Sequence, residues 1–151
     1  MTGKERREKM DMAIKEITIP FLRQQGFKGS YPHFRRESGD ILHLLTFQFS
    51  LYSSQFIVEI SECPTNGFTT SWGKTLKPSE CRVHYLGLRM RINSKGEKGN
   101  NWYSFEKEFL FGNVYKDKAK EVVENWSEAE KWWNDHSSQK GIFPINNSAI
   151  F

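Results

Sequence analysis

The sequence predicts an α+β domain: an antiparallel β-meander whose sheet carries an N-terminal and a C-terminal helix on one face. Three observations predict it. Apolar residues recur at helical spacing near both ends, in Met10, Ala13, Ile14, Ile17 and Phe21 and again in Ala119, Val122, Val123, Trp126, Ala129 and Trp133. Between them, residues 31–61 hold runs rich in aromatic and β-branched residues, divided by the turn segments "ESGD" and "LYSS". A chain of 151 residues with 15% aromatics has enough to bury for one folded unit over 1–151, with 1–8 and 137–151 peripheral.

The first helix covers residues 4 to about 25. Pro20 removes a backbone donor and crowds the carbonyl four residues back, which predicts a kink or break. Gly26 in "RQQGF" stops the helix, because glycine accepts the left-handed conformation that ends one. A short strand over about 31–37 and a long one over about 40–50 follow. In the long strand Ile41, His43, Leu45, Phe47 and Phe49 share one face, which should meet the helices. Leu42, Leu44, Thr46, Gln48 and Ser50 share the other, which starts apolar and turns polar, so that it is only partly covered. A strand over 55–61 places Glu59 on that outer face. Residues 62–80, punctuated by Pro64, Gly67, Gly73 and Pro78, form a long loop that Phe68 and Trp72 tack onto the fold. Residues 81–92 read as a bent strand, with a bulge at Gly87 gathering Val83, Tyr85, Leu88, Met90 and Ile92 on one side and leaving Arg89 and Arg91 on the other. "WYSFEKEFLF" gives a further strand, and a helix covers about 116–136. The tail "GIFPINNSAIF" is apolar enough to pack down or meet a partner.

No apolar run approaches the ~18 residues of a membrane span. The charged start "MTGKERREKMDM" has no apolar stretch behind it, so no secretory signal is read there. Cys63 and Cys81 form no CxxC pair and read as free, partly buried thiols in a cytoplasmic protein. The net charge of +4 is uneven: residues 1–100 hold 16 Lys and Arg against 10 Asp and Glu. The basic part over 69–105 suits either an anionic partner or a solvated sheet edge, where cations discourage strand pairing, and the modest excess favours the edge.

Motifs for nucleotide, zinc-protease and serine-hydrolase chemistry are missing from the sequence. The histidines at 33, 43, 84 and 136 are too scattered for a zinc site, and no cofactor is implied. Cys81 and His84 would point to opposite faces of a strand, against a thiol–imidazole pair. His43 reads as a hydrogen-bonded core histidine, and Glu59 as half of a cross-strand ion pair with Arg82, Arg89 or Arg91. Gln48 and Ser50 read as side chains that tie down the backbone of the "QFSLYSS" corner.

"FLRQQGFKGSYPHFRRESGDILHLLTFQFSLYSSQFIVEI" resembles the opening of the mostly bacterial family called domain of unknown function 4304. The resemblance rests on Gly26–Phe27 after a helix, Phe34–Arg35 in a short strand, then Thr46, Phe47, Gln48 and Ser50. "NWYSFE" and "EAEKWWNDHS" are similar to its later motifs, with Lys131 where the family usually has proline. It spans about residues 10–138 and implies an α+β fold, with no reaction and no catalytic residues.

The expected function is therefore a non-catalytic cytoplasmic module that binds a protein partner, or a second subunit, on its outer sheet face and 62–80 loop. The residues expected to carry it are Gln48, Ser50, Glu59, Trp72, Arg89 and Arg91. One alternative is a nucleic-acid-binding module using the basic 69–105 region, against which Phe47, Phe49 and Tyr85 are read as facing inward. The other is a small-molecule enzyme with a pocket between sheet and helices near His43, Glu59, Cys81 or His84.

Overall fold

The computed structural model describes residues 1–94, 96, 100–107 and 112–136. Helix α1 (Gly3–Ala13) begins at Thr2, whose hydroxyl oxygen accepts from the Glu5 amide at 3.1 Å. It continues through a π-helical turn, Ile14–Thr18, into α2 (Ile19–Gln24). The interruption that Pro20 predicts is this widened turn just ahead of it. A π turn inserts one extra residue, so the buried stripe steps from Met10 and Ile14 to Thr18 and Leu22. Ile17 and Phe21, on the stripe that regular helical spacing predicts, are only partly buried. Buried Thr18 donates its hydroxyl to the Ala119 carbonyl at 2.9 Å. Gly26, at φ 94°, ends α2: its amide donates to Arg23 and that of Phe27 to Leu22, each at 3.0 Å, while the Leu22 and Phe27 side chains meet in the core.

The sheet is built from β1 (Lys28–Ser30), β2 (His33–Ser38), β3 (Ile41–Phe49), β4 (Gln55–Pro64), β7 (Arg89–Ile92) and β8 (Tyr103–Ser104). Strand order is β1-β2-β3-β4-β7, all antiparallel, with β8 also on β4. Its inner face, with Phe34, Leu45, Phe47, Phe56 and Ile60, packs against both helical segments in the main core. The C-terminal helical segment is two helices, α3 (Val114–Glu124) and α4 (Trp126–His136), where one was expected. Asn125 breaks it, because its amide donates to Asn93 Oδ1 at 3.2 Å and to the Tyr103 hydroxyl at 3.0 Å.

The outer face differs from expectation. Residues 65–88 form a layer over one half of it. A two-stranded hairpin, β5 (Phe68–Thr69) with β6 (Thr75–Leu76), is followed by 3-10 turns at Pro78–Glu80 and Val83–Tyr85. Leu76, Cys81, Val83 and Leu86 from this layer meet Leu42, Leu44 and Cys63 in a second core. The strand predicted over 81–92 is thus ordered as a ladder only from Arg89. The bulge at Gly87 is not needed. Val83 and Leu86 bury on the outer side, while Met90 and Ile92 bury toward the helices. Burying four apolar groups over Leu42 and Leu44 outweighs extending an edge strand that would leave those leucines wet. Of "WYSFEKEFLF" the described part, 102–107, holds only the short strand Tyr103–Ser104; its last four residues and the tail from 137 lie outside the described residues.

Candidate functional site

Register sets the geometry of the outer face. Thr46 on β3 stands opposite His33 on β2 and Glu59 on β4, and Glu59 stands opposite Arg91 on β7. Glu59 is 7% exposed and sits between two guanidiniums: Arg91 Nε at 3.3 Å and Arg89 Nη1 at 3.6 Å. The cross-strand pairing read from sequence is present and is doubled. Arg89 and Arg91 themselves are exposed. Gln48 is exposed at the end of β3. Ser50 is occupied by the corner: its Oγ accepts from the amides of Tyr52 and Ser53, each at 3.2 Å. Ser50 therefore ties the "QFSLYSS" backbone, and among the described residues no such bond from Gln48 is seen. Trp72 stands 59% exposed at the hairpin tip with its ring beside that of Tyr85, while Phe68 and Leu76 pack into the second core.

Aromatic rings cross the outer layer. Trp72 lies 6.1 Å from Tyr85, Tyr85 4.3 Å from His84, and His84 6.1 Å from His33. Tyr85 is an outer-layer ring packed on the second core, which corrects its inward assignment. His33 shares a 2.9 Å hydrogen bond with Thr46 Oγ1. Burial, then Arg82 and His84, push His33 down to about 4. Burial, Arg82 and Arg89 lower His84, with Glu59 opposing. Both shifts favour the neutral imidazole, and Arg35, Arg82, Arg89 and Arg91 are the cationic side chains of this face around the buried Glu59.

The family model described as Domain of unknown function (DUF4304) matches residues 17–136. The chain belongs to the DUF4304 family. The matched span runs from the π turn to the end of α4, so it takes in the whole sheet and the outer layer. No curated protein and no solved structure matches the chain.

The inner side of this DUF4304 sheet holds a second polar cluster. His43 faces the helices as predicted, its ring stacked 4.4 Å from that of Trp133. Arg36 donates to its Nδ1 at 2.9 Å, so the neutral ring carries its proton on Nε2. Burial and Arg36 push His43 down to about 4. The same guanidinium pairs with Glu130 and lies over the rings of Phe27 and Trp133. Opposite His43 on β4 stands Glu62, 2% exposed, and neither carboxylate oxygen is hydrogen-bonded to any of the described residues. Burial pushes Glu62 up to about 7.

The sheet separates the residues once grouped as an enzyme pocket. His43 lies on the helix side, Glu59 and His84 on the outer side, and Cys81 in the second core. Cys63 and Cys81 are free, buried thiols, and a hydrogen bond between them, followed by burial, raises Cys63. Among the described residues no three His, Cys, Asp or Glu groups are placed to hold a metal, and no helix is long and apolar enough to cross a membrane. Sequence reasoning overlooked three residues. His33 and Arg35 share the outer parity of β2, opposite buried Phe34, a signal present in the alternation. Glu62 follows Ile60 on the inner parity, but only a strand longer than predicted brings it into the sheet.

Proposed function

We propose that this DUF4304 protein is a non-catalytic, cytoplasmic binding module that docks an acidic segment of a protein partner on the open half of its outer face. One observation carries this reading: exposed Arg89, Arg91 and Gln48 adjoin a face whose other half the chain covers itself, and Trp72 projects from the covering layer at 59% exposure. Exposed Arg and Trp are the side chains that most often anchor protein interfaces. Arg89 and Arg91 are aligned by Glu59 from beneath, so their outward donors are pre-positioned for carboxylates at little entropic cost. Two buried free thiols suit a reducing compartment.

The test is capture from nuclease-treated lysate, identification of the bound protein, and reconstitution of the complex from purified components. Arg91→Gln and Trp72→Ala should each abolish or strongly weaken the reconstituted complex while the thermal midpoint stays within a few degrees. A complex that survives both changes, self-association alone, or no complex would refute the reading.

A nucleic-acid-binding reading is the alternative, favoured by the ring series from Trp72 to His33 beside Arg82, Arg89 and Arg91. Stacked bases on a basic surface would use those groups. Binding of a single-stranded oligonucleotide that falls steeply with salt would support it, and salt-insensitive or absent binding would remove it.

A further inference from the structure

A cleft of about 310 Å³ opens between the β1–β2 turn and the outer layer, and it does not include Arg89, Arg91 or Trp72. Arg35, from the outer face of β2, and Arg82, from the outer layer, line it together with Ser30, Ser79 and His33. Both arginines are half-buried. Among the described residues neither guanidinium has a hydrogen bond or an ion pair. Their neighbours in the fold are satisfied: Arg36 pairs with Glu130, and Arg23 donates to the Gly29 carbonyl at 2.8 Å. Among the described residues the nearby Glu80 carboxylate makes no ion pair with either arginine, and it turns back to accept from the Lys77 amide at 3.1 Å.

We infer that this cleft binds a compact dianion of the phosphate-monoester class. Two guanidiniums that have lost part of their hydration and gained no acceptor leave a positive site with several unmet donors. Their planar forks match the oxygen spacing of a phosphate group, to which each can give two parallel bonds. The hydroxyls of Ser30 and Ser79 supply further donors. His33, held through Nδ1 by Thr46, presents Nε2 as its remaining polar atom. The volume lies at the lower end for small-molecule sites and suits a phosphate with a small organic group. The inference is independent of the protein-docking reading, since the two use different arginines.

The test is calorimetric titration of the full chain with inorganic phosphate, ribose 5-phosphate and ribose. Phosphate and ribose 5-phosphate should bind saturably and ribose should not. Arg82→Gln or Arg35→Gln should weaken phosphate binding at least about tenfold, the loss expected for one charge-assisted bond. Arg82→Lys, which keeps the charge and loses the fork, should fall between, and Arg91→Gln should leave the affinity unchanged. Circular dichroism confirms that each variant is folded. Absence of saturable binding, equal affinity in wild type and Arg82→Gln, or an equal loss in Arg91→Gln would overturn the assignment, the last by reducing it to general electrostatic attraction.

Discussion

Glu62 makes the stability of this fold depend on pH in a way one substitution isolates. Its carboxyl is 2% exposed and has no hydrogen bond among the described residues, and burial moves it from the ordinary 4.5 to about 7. The folded chain therefore binds this proton more tightly than the unfolded chain. The stabilisation from Glu62 is full below about pH 4.5 and is lost as pH rises through 7. A tenfold change in proton affinity is worth about 1.4 kcal/mol, so the whole window is worth about 3 kcal/mol. Roughly 2.5 kcal/mol of it falls between about pH 5 and pH 8. Wild type alone does not isolate this. His33 and His43, lowered to about 4, work with the opposite sign as pH rises from about 4 to 6.5, because the unfolded chain then binds more protons. Glu62→Gln keeps the shape and cannot ionise, and the cost of burying its amide is the same at both pH values. The variant-minus-wild-type difference thus leaves the Glu62 contribution alone. Urea unfolding followed by tryptophan fluorescence should show the variant gaining about 2.5 kcal/mol on wild type between about pH 5 and pH 8, a relative midpoint movement of about 1–2 M. Parallel profiles for the two proteins would refute the argument.

Three further outcomes follow from named contacts. Arg36→Met should cost about 2–4 kcal/mol in denaturant unfolding, since it leaves the His43 Nδ1 lone pair and the Gln25 carbonyl without their donor and Glu130 without its partner. Glu59→Gln should lower the His84 pKa further in an NMR titration, because Glu59 is the group that opposes Arg82 and Arg89 there; an unmoved or raised value would contradict the described contact. Gly67→Ala should destabilise the fold by about 2 kcal/mol or more and selectively speed hydrogen exchange in residues 65–88. Gly67 has φ 86°, and its new Cβ would collide with the Leu76 carbonyl oxygen.

Features encoded by neighbours in the chain were legible from sequence alone. The α2 stop at Gly26, the two faces of β3, the inward turn of His43 and the ion-pair role of Glu59 all follow from turn chemistry and the two-residue period of a strand. Membership of the DUF4304 family was also legible, because it rests on the order of short motifs along the chain. Tertiary structure decided the rest. The π turn shifts the buried stripe by one residue, Asn125 divides the last helical segment to reach Asn93 and Tyr103, and residues 65–88, expected as a long loop and the start of a strand, fold as a covering layer. Those choices depend on which apolar surfaces need cover from distant parts of the chain, and no local period records that. The candidate sites divide in the same way. Arg35 carries its face in its parity, but the partner that makes it half of an anion cleft, Arg82, comes from a layer whose position is set by the burial of Val83 and Leu86 over Leu42 and Leu44.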